Sequence, residues 1–576
     1  MSFFILRTGE QRDAPPGSAA FAGAMFRATA LALPGIDLSL YVGPGHAAPA
    51  VHQAPNGDTI AALGSLLIDG ASADRALRGL LERFDSEDFT WQGLLGTHIL
   101  IVYKNATLYV LGDGLGANKI YRNSEGTLWS NSFLALCELG DPAHLDPQAC
   151  YEYVTNGSVF GTRTPIQGFT SLQANSILTV KGERTDILRR PSPIADEPLD
   201  HLTTLDAVAD FHVRQLEQVF EPLARNYGDR LRISFSGGFD SRLMLANLLK
   251  FDVRPSLFVY GDEGDEDVRI ARLICRAEGL GLEVIDKGQV PPPDPDAFAE
   301  ETEKNLLAFD AWKVEAPLFD YGADREDRLS RHVDGRVPLN GSLGEIYRNF
   351  FYMPDRPSST SAVVSTFYSR YDPRAFTARF DEASYRAAMA AAMRDAIGSD
   401  SDGLERAQVE QIYPNFRGRF WTGRDAQINQ RFGDMFFPYL EHAAISNTSR
   451  VPIRFKDLGR LQGRMIRRIN PRLAAYPSDY GFALDGPRPL RYRVKSLLGT
   501  QRPAALRRLS FRLTHRERQP RDGALAPEYL GRVIDLEFPV MRTLFNVGAV
   551  NSAAQYGLIA TLEYLAARYG MSVADD

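Results

Sequence analysis

In SFSGGFDSRLMLANLL, Ser234 to Leu249, an apolar strand gives way to a helix across two glycines and an acid. Backbone N–H groups at a helix start are unsatisfied and the helix dipole is positive there, so the junction is suited to an anion. Gly237 and Gly238 let the backbone approach a phosphate, and the hydroxyls of Ser234, Ser236 and Ser241 add donors. Asp240 repels bare phosphate, so its presence in the loop implies a Mg²⁺ ion between carboxylate and phosphate oxygens. A plainer reading makes Asp240 and Ser241 helix caps.

The surrounding elements fit the phosphate reading. Strand LRISF, helix SRLMLANLLK, strand SLFVYG, helix DVRIARLICRAEG and strand LEVID alternate, as in a parallel sheet with crossover helices. Upstream lie short alternating or apolar runs such as THILIVYKN, ATLYVLGDG and SILTVKG, punctuated by Gly, Asn and Asp, which predict a mostly antiparallel β domain. The proline-rich, acidic stretch 189–201 reads as a linker, and two domains follow at 1–190 and 205–576. Val213, Leu216, Val219, Phe220 and Leu223 recur at helical spacing, with Pro222 a candidate kink. From about residue 375 the pattern is mainly helical.

The chain of 576 residues, 44% hydrophobic and 24% charged, has an ordinary globular composition. A formal charge of -7 gives no general electrostatic reason to bind nucleic acid or an anionic membrane. Cys137, Cys150 and Cys275 form no CxxC pair, which argues against a disulfide framework or zinc cluster and fits reduced cytoplasm. No apolar run approaches a membrane span, and the nine histidines make no pair at metal-ligand spacing. The one basic stretch, RPAALRRLSFRLTHRERQPR from Arg502 to Arg521, suits an acidic partner or peptide, or is a solvated helix.

SGGFDS after a buried strand resembles the pyrophosphate loop of the ATP pyrophosphatases, and the wider chain resembles the asparagine synthetase family. GDGLGANKIYRN with LWSNSFLAL, and YEYVTNGSVFGTRTPIQGFTSLQANSILTV, are similar to stretches of that family's amino-terminal domain. NGSLGEIYRNFF is similar to its second nucleotide loop, FPYLEHAAI to a motif near its substrate pocket, and Asp267 to the acid opening the helix after the second strand. The resemblance implies an Ntn-hydrolase-like β-rich domain followed by a Rossmann-like α/β ATP pyrophosphatase domain with a helical carboxy-terminal part. It further implies that ATP and Mg²⁺ activate a carboxylate as an acyl-adenylate, releasing pyrophosphate, before an amine displaces AMP. On this basis Ser236, Gly237, Gly238, Asp240 and Ser241 bind pyrophosphate and metal, and adenine lies near Val259, Tyr260, Gly261, Asn340 and Gly341.

Three departures shape the expectation. Ser2 stands where glutamine-dependent members carry a nucleophilic cysteine, so the first domain is expected to be an inactive scaffold. Gly344-Glu345 replaces the usual Asp-Glu, leaving Glu345 as second metal ligand or as a helix-starting acid without metal. At the late lysine the matching place holds Gly463 or Arg464, so Lys456 and Arg464 are the catalytic candidates. An adenylating loop without a glutaminase needs an amine, and one already inside the substrate has a high effective molarity. That arrangement is similar to lasso-peptide cyclases and β-lactam synthetases, with a precursor peptide as one possible substrate. The alternatives are intermolecular amidation using ammonia, a degenerate nucleotide-binding relative without catalysis, and sulfur transfer to RNA, which shares the loop but wants reactive cysteines.

Overall fold

The computed structural model describes residues 2–8, 26–43, 49–286, 292–514 and 521–575, so part of the basic stretch, 515–520, lies outside the described residues. The protein is mixed α/β, with several sheets, among them a four-stranded parallel one.

Two six-stranded antiparallel sheets come first. Alternation in Ser2–Arg7 explains their stacking: Phe4 and Leu6 face the second sheet and pack with Leu38, Leu40, Ile99 and Ile101, while Phe3 and Ile5 turn to the opposite face. The outer face of the second sheet is covered by the helix Ala73–Arg83 through Leu77, Leu80 and Leu81. The outer face of the first sheet joins the core of the rest of the chain.

That join is polar as well as apolar. The Asp310 carboxylate accepts from Arg424 Nη1 at 2.9 Å, Arg431 Nη1 at 3.2 Å and the backbone N–H groups of Phe133 and Leu134 at 2.9 and 3.1 Å. Burial pushes its pKa up, but Arg431 and Arg424 more than offset this and hold it at about 2. Arg431 also lies over the rings of Phe3 and Phe26. Removing one partner of such a buried cluster strands the others' charge, so Asp310→Asn is expected to cost about 3–5 kcal/mol. Chemical denaturation would check this, and a loss under about 1 kcal/mol would show that the two arginines find other partners.

After the strand Arg184–Arg189, the helix Leu205–Tyr227 begins the second part. It runs through Pro222 as one helix, so the candidate kink does not divide it. The parallel sheet has the order Leu282–Ile285, Ser256–Tyr260, Leu231–Ser234, Val337–Leu339. The chain therefore leaves the central strand Leu231–Ser234 toward one side and later returns on the other. Between these two neighbours is a switch point, where the loops leaving the strand ends splay apart and open a crevice. Most of the remainder is helical. All three cysteines are buried and free. No helix among the described residues is long and apolar enough to cross a membrane.

Candidate functional site

The loop Ser236–Ser241 leaves the central strand at this switch point, and the segment from Asn340 to Glu345 leaves its neighbour. Gly237 has φ +76°, and a β-carbon there would meet Ile270 Cγ2 at 2.6 Å, so both conformation and space require glycine. The helix Phe239–Lys250 starts from Gly238 with no side-chain cap. This disposes of the capping role for Asp240 and Ser241 and leaves the helix start open to an anion. Ser236 Oγ accepts from Gly238 N–H at 3.3 Å and lies 3.5 Å from Ser241 Oγ, so both hydroxyls gather at the helix start. Arg242 is fully buried and donates to the carbonyls of Gly237, Leu473, Tyr476 and Pro477, tying the loop to a distant segment.

Asp240 turns toward the second loop. Its carboxylate accepts from Arg348 Nη2 at 2.8 Å and Gln462 Nε2 at 2.7 Å, and Tyr439 of FPYLEHAAI donates its hydroxyl to the Asp240 carbonyl at 2.9 Å. Glu345 accepts from the Tyr413 hydroxyl at 2.8 Å and meets the same Arg348 Nη2 at 3.3 Å. A β-carbon on Gly344 would lie 2.2 Å from Asp240 Oδ1, so this close approach depends on a glycine at 344. Burial raises the Asp240 pKa to about 6, against the opposing pull of Arg348.

The two expected metal ligands are thus brought together, but around a guanidinium. A divalent ion bound by both carboxylates would need the space that Arg348 Nη2 takes between them. The residues as arranged do not fit a Mg²⁺ ion held by Asp240 and Glu345. The two carboxylates expected to hold the metal meet Arg348 in this arrangement.

The catalytic candidates fare differently from the loop. Lys456 is buried and paired with Glu410, which also accepts from Arg406 Nη1 at 2.7 Å. Burial lowers the Lys456 pKa and Glu410 opposes that shift. Arg406 reaches Asn349 Oδ1 at 3.0 Å, so Lys456 supports the second loop through a chain of partners and touches neither Asp240 nor Glu345 in any contact found. Arg464 pairs with Asp206 at 2.6 Å and Asp485 at 3.1 Å, which gives it a structural role. Gly463 packs against the Leu484 carbonyl, 2.0 Å from a would-be β-carbon. The residue of that helix that does reach the site is Gln462.

Around the expected adenine position, Val259 is buried in its strand, and Tyr260 donates its hydroxyl to Asp327 at 2.8 Å with Arg331 beside its ring. Gly261, at φ +137°, donates its N–H to the Ile285 carbonyl at 3.2 Å. Asn340 Oδ1 caps Ser342 N–H at 2.8 Å, and a β-carbon on Gly341 would meet Met244 Cε at 2.9 Å. Asp267 lies in the first turn of the helix Glu266–Glu278, its pKa raised by burial and by Asp265 and Glu266. Burial pushes the Cys275 thiol up to about 12, and Cys137 and Cys150 well above their usual range, which leaves all three poor sulfur carriers.

No family model and no curated protein matches the chain. Among solved structures, NMN synthetase from Francisella tularensis is similar at 11% identity and TM-score 0.17, over 24% of this chain and 56% of its own length. The chain therefore spans just over half of that protein. The allosteric regulatory enzyme of purine biosynthesis matches at 10% identity and TM-score 0.23, over 50% of this chain and 80% of that one. Glutamine phosphoribosylpyrophosphate amidotransferase from B. subtilis, complexed with ADP and GMP, matches at 10% identity and TM-score 0.22, over 49% and 65%. At these scores the likeness to synthetases and amidotransferases is coarse and carries no functional argument.

Proposed function

We propose that the protein is an ATP-dependent carbon–nitrogen ligase that adenylates a carboxylate and closes an amide, preferentially within one substrate. The observation that carries this reading is the uncapped helix start at the sheet's switch point, with Gly237 and Gly238 giving phosphate access to the backbone and Arg348 bringing positive charge. In the first step a substrate carboxylate oxygen bonds to the α-phosphorus of ATP and the bond to pyrophosphate breaks. Backbone N–H groups of the loop, the hydroxyls of Ser236 and Ser241, and Arg348 hold the departing charge. In the second step an amine nitrogen bonds to the acyl carbon, loses a proton, and AMP leaves with the former carboxylate oxygen. No step is routed through a metal held by Asp240 and Glu345.

Ser2 opens the strand Ser2–Arg7, interior to its sheet, and is paired with Val42. Ser2→Ala is expected to leave amide formation unchanged, measured with and without glutamine; glutamate release that depends on Ser2 would overturn the scaffold reading.

The test of function is to incubate the protein with ATP, Mg²⁺ in solution and peptides encoded beside its gene, following nucleotide and peptide together. Equal amounts of AMP and pyrophosphate, with loss of one water from a peptide, support the reading. ADP and phosphate as products sink it. Arg348 between the two carboxylates favours one second reading, a nucleotide-binding relative without ligase chemistry. In that case ATP raises the melting temperature and no pyrophosphate forms.

A further inference from the structure

Beside the loop lies a cavity of about 510 Å³, within the range of sites that take small molecules or short segments. Arg370, Lys495, Arg502 and Arg507 line it, and no carboxylate does among the described residues. Arg507 is fixed by donating to the carbonyls of Tyr352 and Gly499, both at 2.7 Å, while Arg370 stacks on Phe367. Burial lowers the pKa of both, with Arg417 adding to the effect at Arg370, and Arg370 and Arg502 adding to it at Arg507. Like charges are thus crowded together with no carboxylate lining the cavity among the described residues, an arrangement that an incoming anion relieves.

Aromatic rings join this cavity to the chemistry. Tyr480 lines it and packs on Phe239 at 5.5 Å between centroids, and Phe239 is the residue before Asp240. Tyr480 and Tyr492 both sense the charge of Arg348. A ligand in the cavity therefore sits next to the loop proposed to hold the phosphates.

The same helices carry an apolar groove on the outside. Leu490–Gln501 and Ala504–Thr514 leave Leu490, Leu498 and Leu506 exposed at 73%, 65% and 50%. Lys495, Gly499 and Arg502 line both the groove and the cavity, so the two are continuous.

We infer that this helical pair is the docking site of an acidic peptide substrate, which places a carboxylate side chain among Arg370, Lys495 and Arg502 and lays apolar side chains on Leu490, Leu498 and Leu506. The choice of occupant follows from charge complementarity in the cavity and from its continuity with the groove. It rests on the ligase reading only in that the docked carboxylate neighbours the ATP loop.

The test measures fluorescence anisotropy of a dye-labelled peptide of alternating leucine and glutamate with the full chain, with and without ATP. Binding is expected to weaken as salt rises, to fall roughly tenfold or more in the Arg370→Ala/Arg502→Ala double variant, and to survive saturating ATP. Lysine in place of glutamate is expected to abolish binding, and serine in place of leucine to weaken it. Arg374→Ala, an exposed arginine paired with Asp372, serves as the control and is expected to bind as the parent does. The cooperative melting transition of each variant, recorded with and without ATP, shows that it is folded. Binding that is absent, indifferent to the double variant, or displaced by ATP overturns the docking site; displacement would assign the cavity to nucleotide phosphates. Peptide binding without any ATP effect leaves the docking site standing and removes the ligase reading, so the two failures are distinguishable. Equal binding of a short RNA would also overturn the inference.

Discussion

Asp240→Asn is expected to cut pyrophosphate release at least roughly a hundredfold, the scale of a lost preorganised electrostatic contact, while raising the melting temperature at about pH 7.5. Both effects have one cause. Asp240 holds Arg348 and Gln462 at the loop, at 2.8 and 2.7 Å, in surroundings that disfavour its charge. Its folded pKa of about 6 lies above the unfolded value of 3.8. The stability it contributes is therefore complete below about pH 3.8 and is lost as pH rises through about 6. The side chain retains 26% exposure, so solvent screens part of this penalty; a full pKa unit is worth about 1.4 kcal/mol, and the gain is expected to be of that order. Asparagine never ionises, so the variant should exceed the parent at about pH 7.5 and match it near pH 4. Thermal melts at the two pH values and a pyrophosphate assay decide the matter. A variant less stable at both pH values, or one with undiminished release, would refute the role given to Asp240.

The loop was legible because its signals are local. Two glycines, an acid and flanking hydroxyls between a strand and a helix have few other uses, and the structure places them at a sheet switch point. The β-rich first half was legible for the same reason, since alternation and turn residues act over a few positions. What surrounds the loop was not. Arg348 reaches Asp240 across 108 residues and Gln462 across 222, and neither residue stands in a pattern that marks it. A partial signal did exist: once Gly344 removes an acid, the next charged residues of NGSLGEIYRNFF are Glu345 and Arg348, and a cation three residues after Glu345 is able to pair with it. The setting of Lys456 is not local either: its partner Glu410 lies 46 residues earlier and holds it buried. The same holds for Arg464, whose partners Asp206 and Asp485 lie outside the motif. The interface cluster at Asp310 was equally silent, as it draws Ser132, Arg424 and Arg431 from separate segments.

Arg348→Ala is expected to convert the nucleotide site from one indifferent to divalent ions into one that requires them. In the parent, Arg348 compensates both Asp240 and Glu345, and these two in turn raise its pKa, overcoming the effect of burial. Alanine leaves two carboxylates facing a crevice proposed for phosphates, and like charge there opposes nucleotide. A cation between the carboxylates and the phosphates restores the balance, because the space vacated by the guanidinium is then open to it. The measurement is titration calorimetry with ATP in EDTA and in excess Mn²⁺, with Mn²⁺ binding to the nucleotide-free protein followed separately by electron paramagnetic resonance. For the parent, protein-bound Mn²⁺ should be undetectable without nucleotide, and ATP affinity should change little between the two conditions. For the variant, affinity in EDTA should drop roughly tenfold or more, consistent with an uncompensated buried charge, and Mn²⁺ should bind and recover most of the loss. Arg348→Lys, which keeps a charge but presents it as a flexible, strongly hydrated ammonium, should fall between them. Tight Mn²⁺ binding to the parent alone would show that the guanidinium moves aside for a metal, and the two carboxylates would return to the role that their sequence first suggested.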